Sequence, residues 1–352
     1  MKIAFLSFYS GVSYRGVETF VHELANRLHN FGHEITVYQF GKELPGANYK
    51  TVSVEVPMNW KQDKPFLLET LYFGLKVKKF TKIVLSKIDK DTDVIFPTNG
   101  QWQGILCSVW AKIHKKRIVV SGQSGPGIDD RVNLWTFPNI FVAMTDFQRR
   151  WARNANPFVK IEKIPNGVDL SKFKDSVTPI NINLTEPIVL CVGAFDFWKR
   201  QNLLIEAMSK LNKGSLLLVG RGKREAELSS LGQKLLGNRF RMMSFPHKEM
   251  PRIYASVDIF SYPTFAAESF GIVMVEAMAS GLPVVANDDP IRREIVGDAG
   301  LFVDPTDTDA YAKALSEGLV KNWGDKPRKQ AEKFNWDKIA LEYEKLFKEI
   351  VK

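Results

Sequence analysis

Two glutamates, Glu268 and Glu276, are separated by seven residues that include the turn Ser269-Phe270-Gly271 and the apolar run that starts Ile272-Val273. Residues 257–262 read as a strand and Pro263-Thr264 as a turn, so a helix opens near Gly271. The first turn of a helix leaves backbone N–H groups unpaired and carries partial positive charge, which suits a diphosphate. Glycine at that point lets a ligand approach the backbone closely. Glu268 then lies just before the helix and Glu276 on its second turn, so both can project toward one ligand. A carboxylate accepts two hydrogen bonds from a vicinal diol, the group that sugars and riboses present. The same residues allow a plainer reading, in which Glu268 caps the helix and Glu276 is solvated.

This segment resembles the signature of the family 4 retaining glycosyltransferases, which have the GT-B fold and carry two glutamates around a Gly-Phe-Gly or Ser-Phe-Gly turn. The resemblance covers nearly the whole chain. It includes Gly16-Val17-Glu18-Thr19, the turn 164–169, and Lys199 with Leu203-Leu204-Ile205-Glu206-Ala207. It continues through Arg292-Arg293-Glu294-Ile295-Val296-Gly297, residues 300–305, and Phe334-Asn335-Trp336 before the last helix. The resemblance implies an α/β protein of two Rossmann-like doubly wound domains facing across a cleft, with a UDP- or GDP-sugar as substrate and no cofactor. It implies Glu268 at the transferred sugar, with Lys199 beside it in the catalytic group, and Glu276 on the ribose hydroxyls. Ser269, Phe270 and Gly271, with the backbone of Ile272 and Val273, would meet the diphosphate and sugar. Gly16 otherwise reads as a strand-to-helix turn glycine; in the family a glycine here lies against the donor phosphate. Arg15, where many members have a second glycine, would also reach an anion.

The chain departs from the family pattern at three points. Gly193 is followed by Ala194 where Gly-Arg is common. Arg200, beside Lys199 and at a position where glycine is common, is the expected replacement, its planar fork binding two phosphate oxygens. The loop 121–127 has no histidine where members often carry one; it offers Gln123 and Ser124 as acceptor-side residues. The Asp-x-Asp spacings that occur, Asp89-Lys90-Asp91-Thr92-Asp93 and Asp307-Thr308-Asp309, lie apart in sequence from these residues, and the transfer is expected to need no metal. The histidines at 22, 29, 33, 114 and 247 read as surface or core residues.

Elements that would position these groups alternate along the chain. Strands are expected at 2–8, 34–40, 51–56, 93–96, 117–120, 139–144 and 161–164, with helices near 17–30, 66–88, 101–114 and 146–154. The second half repeats the pattern, with strands at 188–193, 215–220, 238–243, 257–262, 283–286 and 301–303. Helices there fall near 200–211, 223–236, 248–255, 271–280, 309–320 and 336–350. Such alternation gives parallel sheets covered by helices on both faces. Residues 1–172 form the first, acceptor-side domain, and 186–330 the donor domain. The polar stretch 176–187 reads as the linker, and 331–352 as a helix that the resemblance sends back to the first domain.

Charge sits mostly in the first half: residues 1–170 carry 23 Lys+Arg against 15 Asp+Glu, a balance of +8 out of the total +10. That favours anionic partners, and without a zinc-finger or RNA-binding signature nucleic acid is the weakest of them. The stretch 75–90 sets Val77, Phe80, Val84 and Ile88 in a stripe among lysines. It reads as a surface helix, or more sharply as contact with an anionic membrane. Cys107 and Cys191 lie in apolar runs as reduced thiols. The N-terminal apolar run is too short to span a membrane and lacks a cleavage site, which points to a cytoplasmic protein, peripheral on the inner membrane face at most. The expected activity is retaining transfer of a hexose to a hydroxyl of a glycan or lipid-linked acceptor of the cell envelope. The alternatives are a non-catalytic sugar-nucleotide or glycan-binding protein and a sugar-nucleotide epimerase. A nicotinamide dehydrogenase is disfavoured, since no Gly-x-Gly-x-x-Gly follows the first strand of either half. Trp102, Trp110, Trp135 and Trp151 include candidates for an acceptor platform, with core packing the plainer role for most.

Overall fold

In both halves the continuous aliphatic runs become central parallel strands, because only a strand buried on both faces needs apolar side chains in both directions. The computed structural model describes residues 1–12, 16–56, 66–266 and 268–352. The chain forms two units, residues 1–166 with 336–352, and residues 167–335.

Unit 1 holds β1 (Lys2–Leu6), β2 (Glu34–Gln39), β3 (Lys50–Ser53), β4 (Val94–Pro97), β5 (Arg117–Ser121), β6 (Ile140–Ala143) and β7 (Ile161–Lys163). They form one parallel sheet in the order β3-β2-β1-β4-β5-β6-β7. Its helices are α1 (Gly16–Asn30), α2 (Phe66–Lys87), α3 (Trp102–Ile113), α4 (Ile128–Trp135) and α5 (Asp146–Ala155). Alternate residues of β1 serve opposite layers: Ile3 and Phe5 pack with α1, while Ala4 and Leu6 pack with α2 and α3. The expected apolar stripe Val77, Phe80, Val84 and Ile88 of α2 is buried in that second layer. These four residues are core, so the stripe itself does not offer the apolar surface expected to meet a membrane.

Unit 2 holds β8 (Ile188–Val192), β9 (Ser215–Val219), β10 (Phe240–Met243), β11 (Ile259–Tyr262), β12 (Val284–Asn287) and β13 (Gly300–Val303). Their order is β10-β9-β8-β11-β12-β13, again all parallel. Around them lie α6 (Gln201–Ser209), α7 (Glu225–Leu236), α8 (Met250–Tyr254), α9 (Ile272–Ala279), α10 (Pro290–Val296), α11 (Thr308–Val320) and α12 (Lys326–Ala331). The last helix, α13 (Trp336–Val351), belongs to unit 1. It buries Trp336, Tyr343 and Phe347 against Phe20 and Phe96, and Arg27 Nε donates to Asp337 at 2.8 Å.

The stretch 176–187 is not a free linker, and the unit boundary falls earlier, after Asn166. Val168 N donates to Phe334 O at 2.8 Å, and Ile180 N to Ser256 Oγ at 2.8 Å. Arg328 pins the turn that precedes this stretch, donating to the carbonyls of Leu170 (3.0 Å) and Phe173 (2.6 Å). Three short helices, α4, α10 and α12, lie where no helix is expected from periodicity. In α4 the buried residues are Asp130, Asn133 and Leu134, so a polar face turns inward and no apolar stripe announces it. No helix among the described residues is long and apolar enough to cross a membrane.

Candidate active site

In unit 2 the strand order reverses between β8 and β11, which are neighbours. Open α/β sheets bind ligands outside the carboxyl ends at such a point. Two loops leave it, 193–200 after β8 and 263–271 after β11. In the first, the Asp196 side chain accepts from Lys199 N at 3.2 Å and caps a single 3₁₀ turn, which brings Lys199 back over β11. Lys199 Nζ donates to Tyr262 Oη at 3.2 Å and forms an ion pair with Glu268 Oε2. Burial alone would lower the Lys199 ammonium, but the Tyr262 hydroxyl and the Glu268 carboxylate outweigh it and hold the lysine above its ordinary value. Burial, with the Glu268 charge second, pushes the Tyr262 hydroxyl up to about 12. At neutral pH the site therefore holds a charged lysine and a neutral tyrosine.

Gly271 has φ +82° and closes the second loop into α9. A Cβ there would stand 2.8 Å from Tyr262 Cε1, so both the backbone and the tyrosine require glycine. Met274 N is bonded to Gly271 O at 3.0 Å, whereas the N–H groups of Ile272 and Val273, the first two residues of α9, have no helical carbonyl to reach. Phe270 is buried against Phe334, with ring centroids 5.7 Å apart, so only its backbone is available to a ligand. Glu276 is 4% exposed, and a buried carboxylate needs partners. Tyr254 Oη donates to its Oε2 at 2.9 Å, and His247 Nε2 lies 3.3 Å from its Oε1. Burial and the Glu276 charge raise the Tyr254 hydroxyl far above its ordinary value, which keeps it a donor. His247, read from the sequence as a surface or core residue, is half-buried and stands against a candidate donor-binding residue.

Arg200 differs from its expected role. It sits at φ +48°, the left-handed region, which explains why glycine is common at this position. Its Nε donates to Pro263 O at 2.7 Å, and its Nη2 to Thr264 O at 2.7 Å and Asn287 Oδ1 at 2.8 Å. The guanidinium also lies over the Phe265 ring, 4.5 Å from its centroid. A fork engaged on loop carbonyls braces 263–265 and has that edge closed to phosphate oxygens. Arg292 of α10, absent from the expected site residues, braces the loop from beneath. It is fully buried and donates to Thr264 Oγ1 at 2.6 Å, Phe265 O at 2.9 Å and Glu268 O at 3.1 Å. With Phe265 N donating to Trp198 O at 3.0 Å, the two loops are tied together.

The remaining expected residues are placed as follows. A Cβ on Gly193 would meet only Lys199 methylenes at 3.7–3.8 Å, so Gly193 itself is not sterically required. The need lies opposite, where a Cβ on Gly220 would strike Gly193 O at 2.0 Å. Gly16 is the first residue of α1, and among the described residues nothing lies within 4 Å of where its Cβ would stand. Arg15 lies outside the described residues. In unit 1, Gln123 and Asn166 exchange amide hydrogen bonds at 3.2 Å, and Ser124 is exposed. Ser269 is half-buried beside Glu268.

Two family models match in order along this architecture: Glycosyltransferase Family 4 over residues 14–172 and glycosyl transferases group 1 over residues 173–335. The chain belongs to glycosyltransferase family 4. Among curated relatives, this family member is 31% identical to a GDP-mannose-dependent monoacylated alpha-(1-6)-phosphatidylinositol monomannoside mannosyltransferase of Corynebacterium glutamicum, over 72% of this chain and 67% of that one. It is 30% identical to the phosphatidyl-myo-inositol mannosyltransferase of Mycolicibacterium smegmatis, over 59% of this chain and 57% of the relative. The match thus spans little more than half the length of that relative. Among solved structures, sucrose-phosphate synthase of Thermosynechococcus elongatus superposes with a TM-score of 0.82 at 22% identity, covering 99% and 98% of the two chains. An Anabaena protein solved with UDP and glucose superposes at 0.78 with 19% identity, covering 99% and 100%. Both share the GT-B fold with the family 4 chain described here.

Proposed function

We propose that this family 4 member is a metal-independent, retaining hexosyltransferase that takes its sugar from a nucleoside diphosphate donor, GDP-mannose foremost, and passes it to a hydroxyl of a glycan or lipid-linked acceptor. The choice of mannose rests on the names of the curated relatives. The observation that carries the activity is the Lys199–Glu268 ion pair lying between the Tyr262 hydroxyl and the N-terminal turn of α9. In this reading the diphosphate meets Lys199 and the N–H groups of Ile272 and Val273, which neutralise it without a metal. Negative charge grows on the leaving diphosphate in the transition state, and a lysine held charged strengthens its grip there. Glu268, released from the lysine by the incoming phosphate, faces the sugar, and Glu276 accepts the ribose hydroxyls. The donor's own phosphate oxygen takes the acceptor proton on the face that the diphosphate leaves, so the anomeric configuration is retained.

The test is turnover of a panel of GDP- and UDP-hexoses against lipid-linked and glycan acceptors, with and without EDTA, the product anomer being read by NMR. The expected result is a retained mannoside formed at nearly the same rate in EDTA. Formation of an epimeric sugar without an acceptor assigns an epimerase, and no product from any donor assigns a binding protein. Loss of most activity in EDTA, restored by magnesium, rejects the metal-free part.

A further inference from the structure

Two exposed aromatic rings precede Lys199 on the loop after β8. Phe197 is 64% exposed and Trp198 53%. Phe265, half-buried on the loop after β11, joins them, its ring centroid 5.5 Å from that of Phe197 and 5.6 Å from that of Trp198. Among the described residues, the other exposed large apolar side chains of unit 2 are Leu235 on α7 and Val320 at the end of α11. The aromatic exposure is thus gathered at the carboxyl ends of β8 and β11, where an open α/β sheet binds its ligands. Trp198 lies outside the four tryptophans read from the sequence as candidates for an acceptor platform.

The cluster is braced from beneath. The Arg200 guanidinium lies 4.5 Å from the Phe265 centroid while its Nε donates to Pro263 O at 2.7 Å. Phe265 O accepts from Arg292 Nη2 at 2.9 Å, and Phe265 N donates to Trp198 O at 3.0 Å. Rings held in this way lose little freedom when a ligand covers them, so more of the contact energy is left for binding. Their chemistry narrows the ligand. The face of an aromatic ring is negative and attracts polarised C–H groups, and a pyranose presents a face of such groups with hydroxyls around its edge. Trp198 Nε1–H has no hydrogen-bond partner among the described residues and is a donor for one of those hydroxyls. An aliphatic partner would meet aliphatic side chains, and among the described residues neither loop exposes a large one. A nucleobase would also stack, but the proposed function puts the ribose on Glu276, whose partners Tyr254 and His247 come from residues 247–254. The base leaves the ribose on the side away from the diphosphate, and so away from Lys199 and the rings beside it.

We infer that Phe197, Trp198 and Phe265 form a stacking platform on unit 2 for a pyranose ring of the acceptor, beside the Lys199–Glu268 pair. Calling that ring the acceptor's rests on the proposed transfer. The platform itself is read by ligand binding without turnover, so it and the transfer reading fail separately.

The test is saturation-transfer NMR of methyl α-D-mannopyranoside with the full chain, alongside calorimetric titration of GDP. In the wild type, saturation should reach the ring C–H protons of the mannoside. Phe197→Ala combined with Trp198→Ala should weaken mannoside binding about tenfold or more. Both side chains are exposed, so the melting temperature should stay unaltered, and GDP affinity should stay within about twofold. Trp198→Phe, which keeps a ring at that position, should retain most of the mannoside binding. Four results overturn the inference: no saturation of the mannoside by the wild type, equal binding by the double variant, saturation of cyclohexanol as strong as that of the mannoside, or a GDP affinity that falls with the loss of the rings and so puts the base on them.

Discussion

The two units share a strand order at their switch points but hold the loops that leave them by different chemistry. In unit 2 the bracing is ionic: Arg200 and Arg292 grip loop carbonyls, and Lys199 pairs with Glu268. In unit 1 it is built largely from neutral amides. Gln103 Oε1 accepts from the backbone N–H groups of Thr98 and Asn99 at 2.9 and 2.8 Å, and Asn99 Oδ1 accepts from Phe8 N at 2.9 Å. Gln148 Oε1 accepts from Met144 N at 2.7 Å while its Nε2 donates to Gly122 O at 2.6 Å. A diphosphate is bound by fixed positive charge, whereas a hydroxyl acceptor needs only amide-type partners. The difference is what the proposed placing of the donor diphosphate on unit 2 predicts.

The largest expected effect comes from removing a brace in unit 2. Arg292→Met would leave Thr264 Oγ1, Phe265 O and Asp289 without their buried partner, costing ~3–5 kcal/mol of stability, read by denaturant unfolding. Arg200→Ala should lower both the melting temperature and kcat/KM. If it instead weakens nucleoside diphosphate binding at constant stability, Arg200 is a phosphate ligand and the bracing account fails.

A smaller effect is expected in unit 1, where one ionisable group does stand among the amides. Burial, with the Asp129 charge second, pushes Asp130 up to about 8. Gln148 Nε2 donates to its Oδ2 at 3.1 Å. The folded chain thus keeps a proton that the unfolded chain releases near ~4, so stability falls as pH rises between about 4 and about 8. Asp130→Asn removes that slope. Its melting temperature should gain on the wild type across this window and stay level above about pH 8; a gain that does not change with pH contradicts the assignment.

What the sequence made legible follows the range of the interactions. Thirteen strands were readable because each depends on neighbours along the strand, whereas local neighbours left Glu268 and Glu276 open and the resemblance supplied their expected roles. Arg292 acts on residues 24 to 28 positions away, and Arg200 on carbonyls 63 and 64 positions away, so neither role leaves a local pattern. A signal for Arg292 did exist: it shares a helical face with Ile295 and Val296 in α10, and an arginine on an apolar face must find buried acceptors. His247 was missed for the same reason, its partner Glu276 lying 29 residues on. The unit boundary was misplaced because the polar stretch 176–187 is held by backbone contacts to Ser256 and by Arg328 on its preceding turn, neither visible as periodicity.

The contrast between the units is tested most directly by titrating GDP and UDP calorimetrically into the wild type, Lys199→Ala and Gln123→Ala. Removing Lys199 takes away the cation and leaves Glu268 to repel the diphosphate, so the better of the two nucleotides should bind about tenfold more weakly or worse, ~1.4 kcal/mol. Gln123→Ala should leave that affinity within about twofold. Unchanged affinity in Lys199→Ala, or a larger loss in Gln123→Ala, would contradict the placing of the donor on the ionic loops of unit 2.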